Sequence, residues 1–175
     1  KKVVLISIKK DLKSFDIENL GAEFYGRINY GKNSEYFINS DSIVAKLENF
    51  IGYFLHGIKL KSYEFNKYKT KKETRLISIN VLGNKNKPSA QNQLKFKALE
   101  EGTFYARDLV SEPGNILHPD EYAKRLSSLR KDGLKINIYD KKKIKETWNE
   151  CPAWSWYGKY KRIISCNNGV EWSKK

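Results

Sequence analysis

Apolar residues along this chain change spacing repeatedly, from every second position to every third or fourth and back. This switching restricts the fold more than any other feature, because a period of two belongs to strands and a period near 3.6 to helices. Val3 to Ile8 is a short apolar run suited to a buried strand. "DIENLGAEFYGRI" then sets Ile17, Leu20, Phe24 and Ile28 at helical spacing, with Asp16 as the expected N-cap. "EYFINS" reads as a second strand. Asp41 or Ser42 is expected to cap a helix striped with Val44, Leu47, Ile51, Phe54, Leu55 and Ile58. "TRLISINVLG" carries Leu76, Ile77, Ile79 and Val81 into a third strand that stops at Gly83. After the polar loop "NKNKPSAQN", a long helix is expected from Leu94 to Val110, with Leu94, Ala98, Leu99, Tyr105, Ala106 and Leu109 turned inward. Alternation of this kind predicts an α/β fold, a mixed or largely parallel sheet flanked by helices. The chain has no internal repeat.

The long helix must stop before Pro113, since proline donates no backbone hydrogen bond and disfavours a helical residue before it. "EPGNILHP" is therefore a turn-rich joint. Pro119 suits the first position of the next helix, where a missing N–H does no harm. Tyr122, Ala123, Leu126 and Leu129 give that helix an inward side, Gly133 ends it, and "LKINIYD" alternates as a fourth strand.

Of 34 basic residues 28 are Lys and 6 are Arg, and the net charge is +14. Such a charge fits an anionic partner such as DNA. It also fits coding by AT-rich codons, which favour Lys, Asn and Ile. The stretch "YEFNKYK" sets aromatic rings among lysines, so Lys67 and Lys69, with Lys71 and Lys72 just beyond, are candidate anion-binding residues. The plainer account is the frayed end of a helix with snorkelling lysines. No apolar run approaches the roughly 18 residues of a membrane span. The first apolar run is too short for a signal-peptide core, so no membrane association and a cytoplasmic location are expected, with Cys151 and Cys166 as reduced thiols.

Other chemistry is sparse. "GRINYGKN" fits the start of a P-loop and then fails, because Asn33 stands where a hydroxyl must reach magnesium. It also leaves a helix and enters a strand, the reverse of a P-loop. His56 and His118 share no metal-ligand spacing and are expected to be structural. No paired carboxylates and no GxSxG serine are present.

"ARDLVSEPGNILHPDEYAKRL", Ala106 to Leu126, closely resembles the segment that links the two domains of leucyl aminopeptidases, also called cytosol aminopeptidases. Arg107, Asp108, Leu109, Glu112, Pro113, Asn115 and Pro119 match the family pattern, while Ser111 replaces the usual Asn and His118 the usual Thr. "GIKLKSYEFNKYKTKK", Gly57 to Lys72, resembles the family's Gly, Ser-Tyr-x-Phe and Lys-Tyr pattern. The resemblance runs from about residue 43 to about residue 145. It implies a partial N-terminal α/β domain over residues 1–90, an interdomain helix and joint over 91–117, and the first helix and strand of the catalytic domain over 118–145. The family is a hexameric exopeptidase that removes N-terminal residues, leucine preferred, using two divalent metals, zinc or manganese. Its metal-holding stretch, Asn-Thr-Asp-Ala-Glu-Gly-Arg, does not occur in this chain. The resemblance therefore assigns no catalytic, cofactor or metal residue here, and a truncated protein without activity of its own is expected. Marginal stability and self-association are expected to follow from uncovered apolar surface. DNA binding, known of some family members, is the alternative, and association with full-length aminopeptidase subunits is a further alternative.

All four tryptophans and both cysteines lie between Trp148 and Trp172. After "YDKKKIKE" the family continues with Leu-Gly-Met and then Ala-Leu-Leu-Gly-Val-Gly, whereas this chain continues "TWNECPAWSWYG". Shifted by one nucleotide, a back-translation of the tail can spell Gly-Met-Ser-Ala-Leu-Leu-Gly-Val-Gly. Residues 146–175 are thus expected to be a frameshifted tail without selected structure.

Overall fold

The computed structural model describes residues 3, 5–9, 11–44, 47–70, 76–140 and, as backbone alone, 162–165. The chain divides into two compact units, Lys1–Asp108 and Leu109–Lys175. No described helix is long and apolar enough to cross a membrane.

The first unit is built from α1 (Ser14–Ile28), β1 (Glu35–Asn39), α2 (Phe50–Lys61), β2 (Ser78–Leu82) and most of α3 (Ala90–Ser111). β1 and β2 pair in parallel, Glu35 opposite Ser78 and Asn39 opposite Leu82. Parallel strands need a crossover, and α2 supplies it. The result is an α/β unit with helices flanking a small parallel sheet.

The core sits where α1 meets α2. Ile17, Phe24 and Ile28 from α1 close on Phe50, Phe54 and Ile58 from α2, and Tyr36, Ile38, Ile77 and Ile79 pack on them from the sheet side. Burial of each such side chain contributes about 1.5–3 kcal/mol. Phe24 lies 5.6 Å from Phe54 and 6.1 Å from Tyr36, ring centre to ring centre. Two glycines let the backbones approach this closely. A Cβ on Gly21 would overlap the Phe54 carbonyl, and one on Gly57 would overlap the Glu18 carbonyl.

Several local expectations are corrected by what competes for the same groups. α1 starts at Ser14, and Asp16 acts from inside the first turn, its Oδ2 accepting the Lys13 N–H at 3.0 Å. The expected cap residues Asp41 and Ser42 do not start α2. Asp41 Oδ1 instead accepts the N–H groups of Asn84 and Lys85, both at 3.0 Å. The Ser42 hydroxyl donates to the Asn39 carbonyl at 2.8 Å. With both engaged, α2 begins later, at Phe50, and Val44 is left 85% exposed. The N–H of Ile51 in the first turn of α2 goes to the Asn86 carbonyl at 3.2 Å. The loop after β2 turns at Gly83, whose φ of +86° suits glycine and whose missing Cβ leaves room for the Asp41 carboxylate. The two backbone hydrogen bonds, Lys85 before Asn84, hold the Asp41 carboxyl below its ordinary range.

Val3 to Ile8 forms no strand in its described residues, and Leu5 is 91% exposed. A strand exists only through a neighbour that takes its backbone groups, and among the described residues β1 pairs with β2 alone. α3 also departs from expectation. Its inward side carries Phe96, Glu100, Phe104 and Arg107, while Leu94, Ala98, Leu99 and Ala106 face solvent. Phe96 reaches α2 because Gly52 has no side chain: a Cβ there would lie 2.5 Å from the Phe96 ring.

In the second unit the chain leaves α3 through a turn in which the Pro113 carbonyl accepts the N–H groups of Ile116 and Leu117. α4 (Pro119–Ser128) follows and tightens into a 3-10 turn, Leu129–Asp132. Gly133 closes it at φ +87°, and β3 (Asn137–Asp140) pairs antiparallel with β4 (Arg162–Ser165). β4 lies in the tail expected to lack structure. The run Ile163-Ile164 is strand-prone whatever its origin, and an open edge such as that of β3 takes up such a run. Trp148, Trp154, Trp156, Trp172, Cys151 and Cys166 lie outside the described residues.

The glycine contact gives a sharp expectation. Gly57→Ala forces a Cβ into the Glu18 carbonyl, so it should destabilise the fold by about 3 kcal/mol, the upper part of the range for overpacking. Urea unfolding of the variant against the parent checks this, and an unchanged midpoint would show that the helices separate freely.

Candidate functional site

Arg107 and Asp108, at the start of one motif segment, meet the other motif segment in the first unit. α2 ends at Lys61, and its last turn leaves carbonyls without helical partners. Arg107 on α3 donates from Nη1 to the Leu60 carbonyl at 2.5 Å, a cation where the helix dipole favours one. Its guanidinium lies 5.4 Å from the centre of the Tyr63 ring. The Tyr63 hydroxyl donates to Asp108 Oδ1 at 2.5 Å, and its ring lies 5.2 Å from that of Phe104. Arg107 and Asp108 thus fasten α3 to the end of α2 and the loop after it. Leu109 is half-buried and begins the second unit.

There, Glu112 is buried and its Oε1 accepts from Arg125 Nη1 at 2.8 Å. Arg125 Nε also donates to Glu121 Oε1 at 3.3 Å. The hydrogen bond to Glu112, more than that to Glu121, raises the Arg125 pKa above its ordinary value. Pro113 and Asn115 are exposed in the turn, and Pro119 opens α4 as expected.

His56 is buried on α2, with Nδ1 3.4 Å from Glu100 Oε1 and its ring 5.3 Å from that of Phe96. That environment is structural: a polar group satisfied between two helices. The candidate anion-binding residues fall on a turn in which the Lys69 N–H meets the Asn66 carbonyl at 3.4 Å. Lys67 Nζ stands 5.7 Å from the centre of the Tyr68 ring, and Tyr68 is 46% exposed. Lys71 and Lys72 lie outside the described residues. "GRINYGKN" runs from the end of α1 into β1, so a phosphate-binding strand-to-helix turn is absent at this stretch.

Arg107, Asp108 and Glu112 stand in one motif segment and Tyr63 in the other, but that Tyr63 meets Arg107 and Asp108, and that Arg125 meets Glu112, was not legible. Tyr63 and Asp108 are 45 positions apart, and nothing local couples them. None of these groups forms a nucleophile–base pair. Among the described residues no group of three or more His, Cys, Asp or Glu could hold a metal ion.

Arg125→Met should be costly, because it strands the Glu112 carboxylate in a buried position. A loss of about 3–5 kcal/mol is expected for removing one partner of a buried pair. Thermal unfolding of this variant beside Glu112→Gln/Arg125→Met measures it, and the double variant should recover part of the loss.

No protein-family model matches the chain. It is similar to the probable cytosol aminopeptidase of Methylorubrum extorquens, 30% identical over 149 residues that cover 82% of this chain and 29% of that protein. The probable cytosol aminopeptidase of Clostridium perfringens is 35% identical over 124 residues, 66% of this chain and 25% of that one. Among solved structures, a tomato leucine aminopeptidase variant superposes with a TM-score of 0.61 at 22% identity, covering 78% of this chain and 29% of that one. The bottromycin maturation enzyme BotP, also solved in complex with Mn, superposes with a TM-score of 0.58 at 19% identity, covering 77% of this chain and 29% of that one. These superpositions speak to the fold. The chain spans less than a third of the length of the curated relatives it matches. With its sequence matched over most of its length, the chain belongs to the leucyl, or cytosol, aminopeptidase family.

Proposed function

We propose that this chain supplies the α/β portion and the adjoining joint of a leucyl aminopeptidase, and that it has no peptidase activity by itself. The observation that carries the reading is the junction of Tyr63, Arg107 and Asp108, which brings together the two motifs that resemble the family. In the family, two divalent metals activate water and polarise the scissile carbonyl. The residues described here do not fit such a centre, and the stretch that holds the metals in the family does not occur in the sequence. No step of peptide hydrolysis is therefore assigned to these side chains. Their role in this reading is to fold, to hold α3 in place, and to associate with further copies of the chain.

The purified chain should release no product from a leucine anilide above the protein-free rate, with manganese or zinc added. Metal-dependent turnover abolished by a chelator would overturn the reading.

A second reading rests on the loop after α2, where Tyr68 is half-exposed and Lys67 stands over its ring. With a net charge of +14, this loop is suited to an anionic partner such as DNA. Fluorescence anisotropy with a labelled duplex should then show binding that weakens steeply with salt and with Lys67→Ala/Lys69→Ala. No binding at low salt would sink this reading.

A further inference from the structure

α4 begins at a cap of unusual chemistry. His118 stands at the N-cap in extended backbone, φ −80° and ψ 162°, ahead of Pro119. Its Nδ1 accepts the Glu121 N–H at 3.4 Å, and its carbonyl accepts the Tyr122 N–H at 2.9 Å. Helix caps are ordinarily the side-chain oxygens of Ser, Thr, Asn or Asp, and hydroxyl and amide caps remain acceptors at any ordinary pH. An imidazole nitrogen is an acceptor in the neutral ring and a donor in the charged one. Because an amide N–H points at Nδ1, the single proton of the neutral ring must sit on Nε2. A second proton would place an N–H against the Glu121 N–H and a positive charge at the positive end of the helix dipole. His118 is exposed, so protons reach it without any opening of the fold.

We propose that His118 is a proton-operated cap of α4: neutral, it holds the first turn through Nδ1; protonated, it releases the Glu121 amide and the turn frays. The charged groups near the cap are largely engaged with one another. Glu121 already shares its carboxylate between Arg125 Nε at 3.3 Å and Lys124 Nζ at 3.8 Å. Glu112 is bound to Arg125, and Asp120 holds an interaction of its own. The 3-10 turn after α4 adds Arg130, Lys131 and Asp132. Cations thus match the acids around this helix, and the decisive change on protonation is the lost acceptor. Acidification therefore loosens the start of α4 and the joint that leads into it.

Amide hydrogen exchange at Glu121 in the full chain tests this, from about pH 8 to about pH 5, the span over which imidazoles titrate. After correction for intrinsic exchange, protection should fall about fivefold on acidification, the equivalent of ~1 kcal/mol for a lost N-cap. His118→Ser keeps an oxygen acceptor and should hold its protection constant, while His118→Ala should be weakly protected at every pH. His56 lies in the other unit and is untouched by these substitutions. A flat profile in the parent, or the same fall persisting in His118→Ser, overturns the proposal.

Discussion

The first unit depends on a backbone-to-backbone contact between α1 and α2. Gly21 lies against the Phe54 carbonyl and Gly57 against the Glu18 carbonyl, with no room for a methyl group at either place. That approach lets short helices share one core, because Phe24 can reach Phe54 and Ile17 can be buried completely. With the helices further apart, the same side chains would leave voids, and dispersion contacts fall off steeply with a gap of less than an ångström. The small parallel sheet follows from this contact, since Tyr36, Ile38, Ile77 and Ile79 have a surface to pack on once the helices are joined.

Polar side chains then decide where elements begin and end. Asp41 is placed by sequence at the foot of an amphipathic helix, yet it serves a loop more than forty positions later. A carboxylate engaged by two backbone N–H groups has little left to offer a helix start nearby. Asn86 works in the same direction, donating from its side chain to the Ile43 carbonyl at 3.1 Å while its own carbonyl receives Ile51 N–H. The β2–α3 loop and the start of α2 therefore order each other, and neither boundary is a local property.

The motif residues show a similar division between what was legible and what was not. Arg107 and Asp108 stood out as a pattern, but a pattern carries no partner. Their contacts run to Leu60 and Tyr63 on another element, where the guanidinium both caps α2 and lies over an aromatic ring. Glu112 likewise stood out without Arg125, the residue that makes its burial tolerable. Periodicity misjudged α3 because it counts apolar side chains and not the surface that receives them. α2 offers α3 a glycine gap at Gly52 and a buried imidazole at His56, which are met by Phe96 and Glu100 better than by Leu94 or Leu99.

The amino-acid sequence by itself determined the α/β class, a helix through Ile17, Leu20, Phe24 and Ile28, a strand within "EYFINS" and another within "TRLISINVLG", the break before Pro113 and the proline start of α4. Each of these follows from interactions within a few residues: hydrophobic period, proline geometry, glycine turns. The tertiary structure alone decided that Val3 to Ile8 makes no ladder in its described residues, that α2 starts at Phe50, which side of α3 faces inward, and that Arg162–Ser165 pairs with β3. Those outcomes depend on partners supplied by distant parts of the chain. A strand needs an edge, a cap needs an unclaimed oxygen, and a helix face needs a surface of matching shape.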